Sequence, residues 1–322
     1  MIDVRFPAAP AWVGAAASLI RLLPRGRYRA TNWVGSRRTA PFWARLPDDL
    51  GALAFRCDLR DRIMREVCFT GRYEPQETAL LQRILRPGMT FVDVGANWGY
   101  FTLAAAHGVG PGGRVISVEA DPWACRALRA NVARNRLDQV TVLEMAASDR
   151  LGALWLQQYE ANANDSGNYG VTSTTTVAAD GRRFKVLARA LDQALDEVEV
   201  NRIDLLKMDI EGGEGRALIG LHRRLTERRV ERILLEIHPQ HLLDQGSSAE
   251  CVVSELRAYG YQAWTIDHSP SVTRRIAAAR ADVASALAPL DDMARLGPWP
   301  HMLWTLGSPG ATAMDADTRD HQ

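Results

Sequence analysis

One segment, Phe91–Tyr100 (FVDVGANWGY), narrows the folds open to this chain more than any other. Thr90–Val94 reads as a short buried strand, Gly95 and Gly99 mark a tight turn, and Tyr100–His107 reads as a helix. The pattern then repeats. Arg114–Glu119 predicts a strand, Pro122–Asn135 a helix with proline in its first turn, and Val140–Ala147 a third strand. After a break it resumes with a strand at Ile203–Ile210, a helix at Gly215–Arg229 and a strand at Arg232–Ile237. A helix at Cys251–Ala258 and strands at Tyr261–Ile266 and His301–Leu306 complete it. Strands alternating with helices predict an α/β fold around a mostly parallel sheet. Upstream, residues 58–86 read as helical until Pro87-Gly88.

Composition limits the function classes. The 322 residues are 47% hydrophobic with a net charge of +1, which excludes disorder as the main state and does not favour a nucleic-acid binder. The four cysteines form no CxxC pair, so neither a zinc knuckle nor a secreted disulfide framework is expected. No apolar run reaches the roughly 18 residues needed to span a bilayer, and Ala8–Leu23 makes a poor signal peptide. A soluble cytoplasmic protein is the expectation.

Charge is uneven along the chain. Residues 1–46 hold eight arginines and one acid, a net of +7. Residues 1–54 therefore read as an Arg- and Trp-rich N-terminal extension, suited to packing across the domain, to weak contact with a membrane surface or to a homodimer arm. Residues 55–307 read as the α/β domain and 308–322 as a polar tail. Two insertions are expected within the domain. One, about 155–176, contains the polar run Ala161–Thr176, which suits a lid over a ligand. The other, about Thr273–Arg295, is Ala/Arg-rich and reads as helical.

The turn after the first strand carries chemistry. Small residues let the backbone approach a ligand, and a helix start offers free N–H groups to a carboxylate. A dinucleotide fingerprint needs G-x-G-x-x-G, but Asn97 stands at the middle glycine; a phosphate loop needs G-K-[ST], which is absent. Asp93 can take an ammonium and the turn amides a carboxylate. Glu119, 26 residues on at the next strand's end, can accept two ribose hydroxyls. An amino acid joined to a nucleoside meets all these demands, as in S-adenosylmethionine.

DVGANWGYFT, VEADPWACRALRANVARN, LLKMDIEGGE and LLEIHP, in this order, together with the upstream TGRYEPQE at 70–77, resemble the FkbM family of S-adenosylmethionine-dependent methyltransferases. The resemblance covers about residues 55–267. It implies a class I, Rossmann-like methyltransferase fold: a seven-stranded, mostly parallel sheet with helices on both faces and the last strand antiparallel. It assigns the cofactor to Asp93, Gly95, Ala96, Asn97, Gly99 and Glu119, with Ala146 and Ala147 near the adenine. Tyr73-Glu74 would join the cofactor or acceptor pocket. The implied activity is O-methylation of a sugar, a polyketide or another secondary metabolite.

A second cluster follows the fourth parallel strand. If that strand persists, alternation puts Lys207, Asp209 and Glu211 on one face. Glu236 and His238 repeat the spacing one strand on, at the sheet edge where ligands bind in open α/β folds. Two readings compete for Asp209, Glu211, Glu236 and His238. In one, His238 or Asp209 takes the proton of an acceptor hydroxyl; an ordinary imidazole suits that task. In the other, the four residues hold Mg²⁺ or Mn²⁺, which acidifies the hydroxyl. For Lys207 or Glu214 alone a structural ion pair is the simpler reading. His107, His222 and His268 lack patterned partners and read as structural or exposed. N-methylation of a small amine is the alternative within the enzyme class. Outside it stand a dinucleotide-dependent oxidoreductase and a non-catalytic nucleoside-binding protein.

Overall fold

The computed structural model describes residues 6–23, 26–35, 40–158, 171–172, 183–293 and 296–307. The extension forms helices α1 (Ala11–Leu22) and α2 (Arg27–Gly35) and strand β1 (Phe42–Arg45), which pairs antiparallel with β2 (Ala54–Cys57). Helices α3 (Arg62–Thr70) and α4 (Pro75–Ile84) lead into the sheet. Its first half is β3 (Thr90–Val94), α5 (Tyr100–Val109), β4 (Arg114–Glu119), α6 (Pro122–Asn135) and β5 (Val140–Glu144). Asp121 caps α6 by accepting from the Trp123 and Ala124 amides, and Pro122 follows where a missing N–H costs nothing.

Four short strands then build a separate sheet in the order β6-β9-β7-β8: β6 (Ala146–Ser148), β7 (Gly152–Gln158), β8 (Val171–Thr172) and β9 (Arg183–Ala190). The expected strand Val140–Ala147 is thus two strands divided at Met145, each serving a different sheet. Most of the expected lid, Ala161–Thr176, lies outside the described residues. The second half runs α7 (Leu191–Glu197), β10 (Leu205–Met208), α8 (Glu214–Ile219), α9 (His222–Thr226), β11 (Arg232–Glu236), α10 (Pro239–Asp244), α11 (Ala249–Ala258), β12 (Tyr261–Ile266), α12 (Pro270–Ala277), β13 (Leu287–Pro289) and β14 (His301–Leu306).

The main sheet has the order β13-β12-β14-β11-β10-β3-β4-β5. Neighbours from β11 to β5 are parallel, and β14 runs antiparallel between β11 and β12. This is the class I methyltransferase arrangement with eight strands instead of seven. The added strand, β13, lies in the insertion expected to be helical. There the helix stops at Ala277, Asp282 caps a 3₁₀ turn, and Leu287–Pro289 pairs with the open edge of β12.

Strand alternation divides the core between two faces. Phe91, Val115, Leu205 and Leu234 pack with α4 and α5; Val92, Val94, Ile116, Leu206, Met208 and Leu235 pack on the opposite side. Asp93 and Lys207 fall in the first set by parity and face each other across β3 and β10. The extension shares that first core through Val13, Ala17 and Ile20, and Arg21 of α1 donates to the Cys68 and Phe69 carbonyls at the end of α3. Among the described residues no helix is long and apolar enough to cross a membrane.

Strand order, not strand direction, reverses between β3 and β10, so a crevice opens above their C-terminal ends. Gly95 stands at its base with φ +86°, and a Cβ there would meet the Asp209 carbonyl oxygen at 1.9 Å. Gly95→Ala is expected to destabilise the fold by about 2 kcal/mol or more. Gly112→Ala, where an added Cβ meets nothing within 4 Å, should stay within about 0.5 kcal/mol of wild type. Denaturant unfolding of both variants checks the contrast.

Candidate active site

The turn after β3 is held from beneath. The Gly95 and Ala96 amides donate to the Val118 carbonyl at 2.9 and 3.1 Å, fixing the turn to the end of β4. The Asn97 amide donates to Glu119 Oε2 at 2.6 Å, while Glu119 Oε1 accepts from the Ala120 and Asp121 amides at 2.8 Å each. Burial pushes Glu119 up to about 7 despite these three donors. Oε1 spends both lone pairs on its two amides, and Oε2 keeps one free for a further donor.

One cleft runs from this carboxylate to the ends of β3 and β10. Its walls include Gly95–Trp98, Glu119–Asp121 and Met145–Ala147, together with Lys207, Asp209 and Glu211. Of the residues expected to hold a cofactor, Gly95, Ala96, Asn97, Glu119, Ala146 and Ala147 line it. Asp93 and Gly99 are not among the residues lining it. Asp93 is 1% exposed and accepts from Thr102 Oγ1 at 2.7 Å. Burial raises its pKa even beside Lys207. Gly99 packs on Leu128. A cleft lined by a carboxylate, small side chains at 146–147 and mixed charge suits an amino-acid nucleoside. Glu119 would hold it through Oε2, since the amides of 95, 96 and 97 are already spent on Val118 and Glu119.

The second cluster forms at the far end, though not by strand alternation. β10 ends at Met208, and Glu211 is delivered by a turn in which its own φ is +54°. Lys207, 4% exposed, lies 3.3 Å from Asp209 Oδ2 and 4.6 Å from the centre of the Phe101 ring. Burial disfavours its charge, but Asp209, Glu74, Asp93 and Glu236 outweigh that and raise its pKa. Burial likewise works against Asp209, and Lys207, His238 and His301 overcome it, so Asp209 stays ionised.

His238 caps α10 amid carboxylates. Its Nδ1 is 3.2 Å from Glu214 Oε1, and its Nε2 is 3.4 Å from both Glu211 Oε2 and Glu236 Oε1. Burial opposes its charge, but the Glu214 hydrogen bond and the charges of Glu211, Asp209 and Glu236 push it up to about 9. A ring held toward its charged form fits the reading of His238 as an ordinary imidazole base poorly. Glu236 is driven up to about 8, first by burial and then by Asp209 and Glu74. Glu74 is half-buried at φ +42° within the same field, and desolvation raises its pKa.

Three residues escaped the sequence reading. Glu236 pairs in register with His301 on β14, and His301 Nε2 is 3.4 Å from Glu236 Oε1. The other ring nitrogen of His301 is 2.9 Å from Glu77 Oε1, which His268 Nε2 also reaches, at 2.7 Å. His268, read as structural or exposed, thus belongs to a network continuous with the cluster. The quoted TGRYEPQE ended on Glu77, but nothing local pairs it with residues 191 and more positions away.

Residues 93–263 match the model of the methyltransferase FkbM domain. The chain belongs to this family. S-adenosylmethionine-dependent methyl transfer is the chemistry of such a domain. The chain is 29% identical over 199 residues to 31-O-demethyl-FK506 methyltransferase FkbM of Streptomyces tacrolimicus, covering 55% of this chain and 74% of that protein. It is 27% identical over 209 residues to the AMB antimetabolite synthetase AmbE of Pseudomonas aeruginosa, but spans only 10% of that protein against 56% of its own length. A solved methyltransferase FkbM from Methylobacillus flagellatus is similar at 18% identity and a TM-score of 0.40, covering 87% of this chain and 59% of that one.

The charge on His238 has a pH signature. A histidine raised from 6.5 to about 9 gives its full stabilisation below about pH 6.5 and loses it as pH rises through about 9. Wild type should therefore lose an advantage over His238→Gln on the order of 2 kcal/mol across that window. Denaturant midpoints of the two proteins at pH 6 and pH 9.5 measure it.

Proposed function

We propose that this FkbM-family domain moves a methyl group from S-adenosylmethionine to a hydroxyl oxygen of a small molecule, a sugar or another secondary metabolite. One observation carries the reading. The cleft that offers Glu119 to a nucleoside is also lined by Lys207, Asp209 and Glu211. A sulfonium donor supplies an electrophilic methyl, and alignment of donor and acceptor can lower the barrier by roughly 7–11 kcal/mol.

Asp209 is the group we assign to the acceptor proton. It lines the cleft and is held ionised by Lys207. His238 stays an imidazolium and orients Glu211 and Glu236 rather than acting as the base. Lys207 and His238 together put positive charge where one of the two competing readings placed a magnesium or manganese ion, on Asp209, Glu211, Glu236 and His238. The same field favours oxygen over nitrogen as the acceptor. Glu74, Asp209, Glu211 and Glu236 around one corner would hold an amine protonated, and a protonated amine has no lone pair to give.

Asp209→Asn should lower kcat by about 10²–10⁴-fold. Its affinity for S-adenosylhomocysteine should stay within about threefold of wild type. Mass spectrometry of hydroxylated acceptors incubated with labelled donor reads the first, and calorimetry the second. Wild-type turnover in Asp209→Asn would remove the assignment. Glu119→Ala should show the opposite split, weakened binding of S-adenosylhomocysteine with the acid cluster intact.

A further inference from the structure

Glu77, His268 and His301 come from α4, the loop after β12 and the start of β14, yet their ligand atoms all lie within 4.8 Å of one another. Glu77 is 1% exposed. Its Oε1 takes both imidazoles, while its Oε2 is buried without a hydrogen-bond partner. The two rings are 4.1 Å apart and tilted by 34°, so two nitrogens and one carboxylate converge from different directions.

The surroundings keep them there. His301 directs Nδ1 to Glu77 and Nε2 to Glu236. That is the relation a metal-bound histidine has with an outer carboxylate, which fixes the ring and strengthens the bound nitrogen as a donor. Gln76, next to Glu77, donates to the Asp267 carbonyl at 2.9 Å and to Thr273 Oγ1 at 2.8 Å, and Thr273 in turn holds the His268 carbonyl. The loop bearing His268 is thereby tied to the helix bearing Glu77. His268 is one-third exposed, which leaves a way in from solvent.

We propose that Glu77, His268 and His301 form a binding site for one divalent transition-metal ion of the zinc class. Two imidazoles and a carboxylate are a zinc donor set with room for a further ligand, and they suit zinc or cobalt better than magnesium. The ion takes the place of the protons that the imidazoles now share with Glu77, and the spare Glu77 oxygen becomes available to it. It joins α4 to β14 beside Glu236, and so steadies one wall of the acid cluster without entering the methyl cleft. The site does not depend on the assignment of Asp209.

The test uses the full chain stripped with a chelator and titrated with zinc chloride by calorimetry, and with cobalt chloride by visible absorption. One equivalent of zinc should bind with a Kd on the order of micromolar or tighter. Cobalt should show the absorption of a nitrogen- and oxygen-ligated ion. His268→Ala and Glu77→Gln should each weaken zinc binding at least about 10–100-fold, and Asp209→Asn should leave it unchanged. His268 is part-exposed, so its replacement should fold, as circular dichroism would verify. Absence of zinc binding in the wild type overturns the proposal and leaves an ion-paired triad. Binding that survives both His268→Ala and Glu77→Gln, or is lost in Asp209→Asn, overturns it as well.

Discussion

The ammonium of Lys207 holds together a corner of the sheet into which Asp93, Asp209, Glu74 and Glu236 all send negative charge. Without it these carboxylates would repel one another in a place where water screens little. Strand register sets it opposite Asp93, the 3.3 Å contact ties it to Asp209, and the Phe101 ring closes over it. Removing one partner of such a buried pair typically costs about 3–5 kcal/mol, because the remaining charge has nowhere to go. The divided behaviour of the acids follows. Asp209, in contact with the ammonium, is kept ionised, while Glu236, farther along the cluster, is pushed toward its neutral form.

Turns, more than strands, bring the chemistry to the cleft. Glu74, Asn97 and Glu211 all have positive φ, at +42°, +49° and +54°, where side chains with a Cβ rarely sit. Each such residue costs of order 1–3 kcal/mol and persists only where neighbours hold it. Asn97 is held by the hydrogen bond its amide donates to Glu119, and Glu211 by the imidazoles of His238 and His241. At these two positions strained backbone and polar contacts coincide in the wall of the cleft.

Much of this was legible in the chain. Thr90–Val94, Arg114–Glu119 and Tyr261–Ile266 appear in the structure as read, because each is a short apolar run closed by a turn residue or a charge. Glu119 and Gly95 were legible because their spacing is local. The division of Val140–Ala147 was not, since Met145 continues the apolar run while the backbone passes from one sheet to another. Nor was β13, three residues long and set in a helix-rich composition. The Glu77–His268–His301 group was hidden for a different reason. Its members meet only through antiparallel pairing of the last strand, and sequence periodicity carries no register between elements so far apart. The charge state of His238 was equally hidden, because it depends on four carboxylates gathered from two elements and the loop between β10 and α8.

That short eighth strand also governs how the molecule can meet a copy of itself. An uncovered β12 would offer a row of free amides and carbonyls to any passing strand. Instead the boundary is Leu287–Pro289, too brief to template a long pairing and finished by a residue with no N–H to donate. Assembly by continuing the sheet is therefore discouraged at this flank.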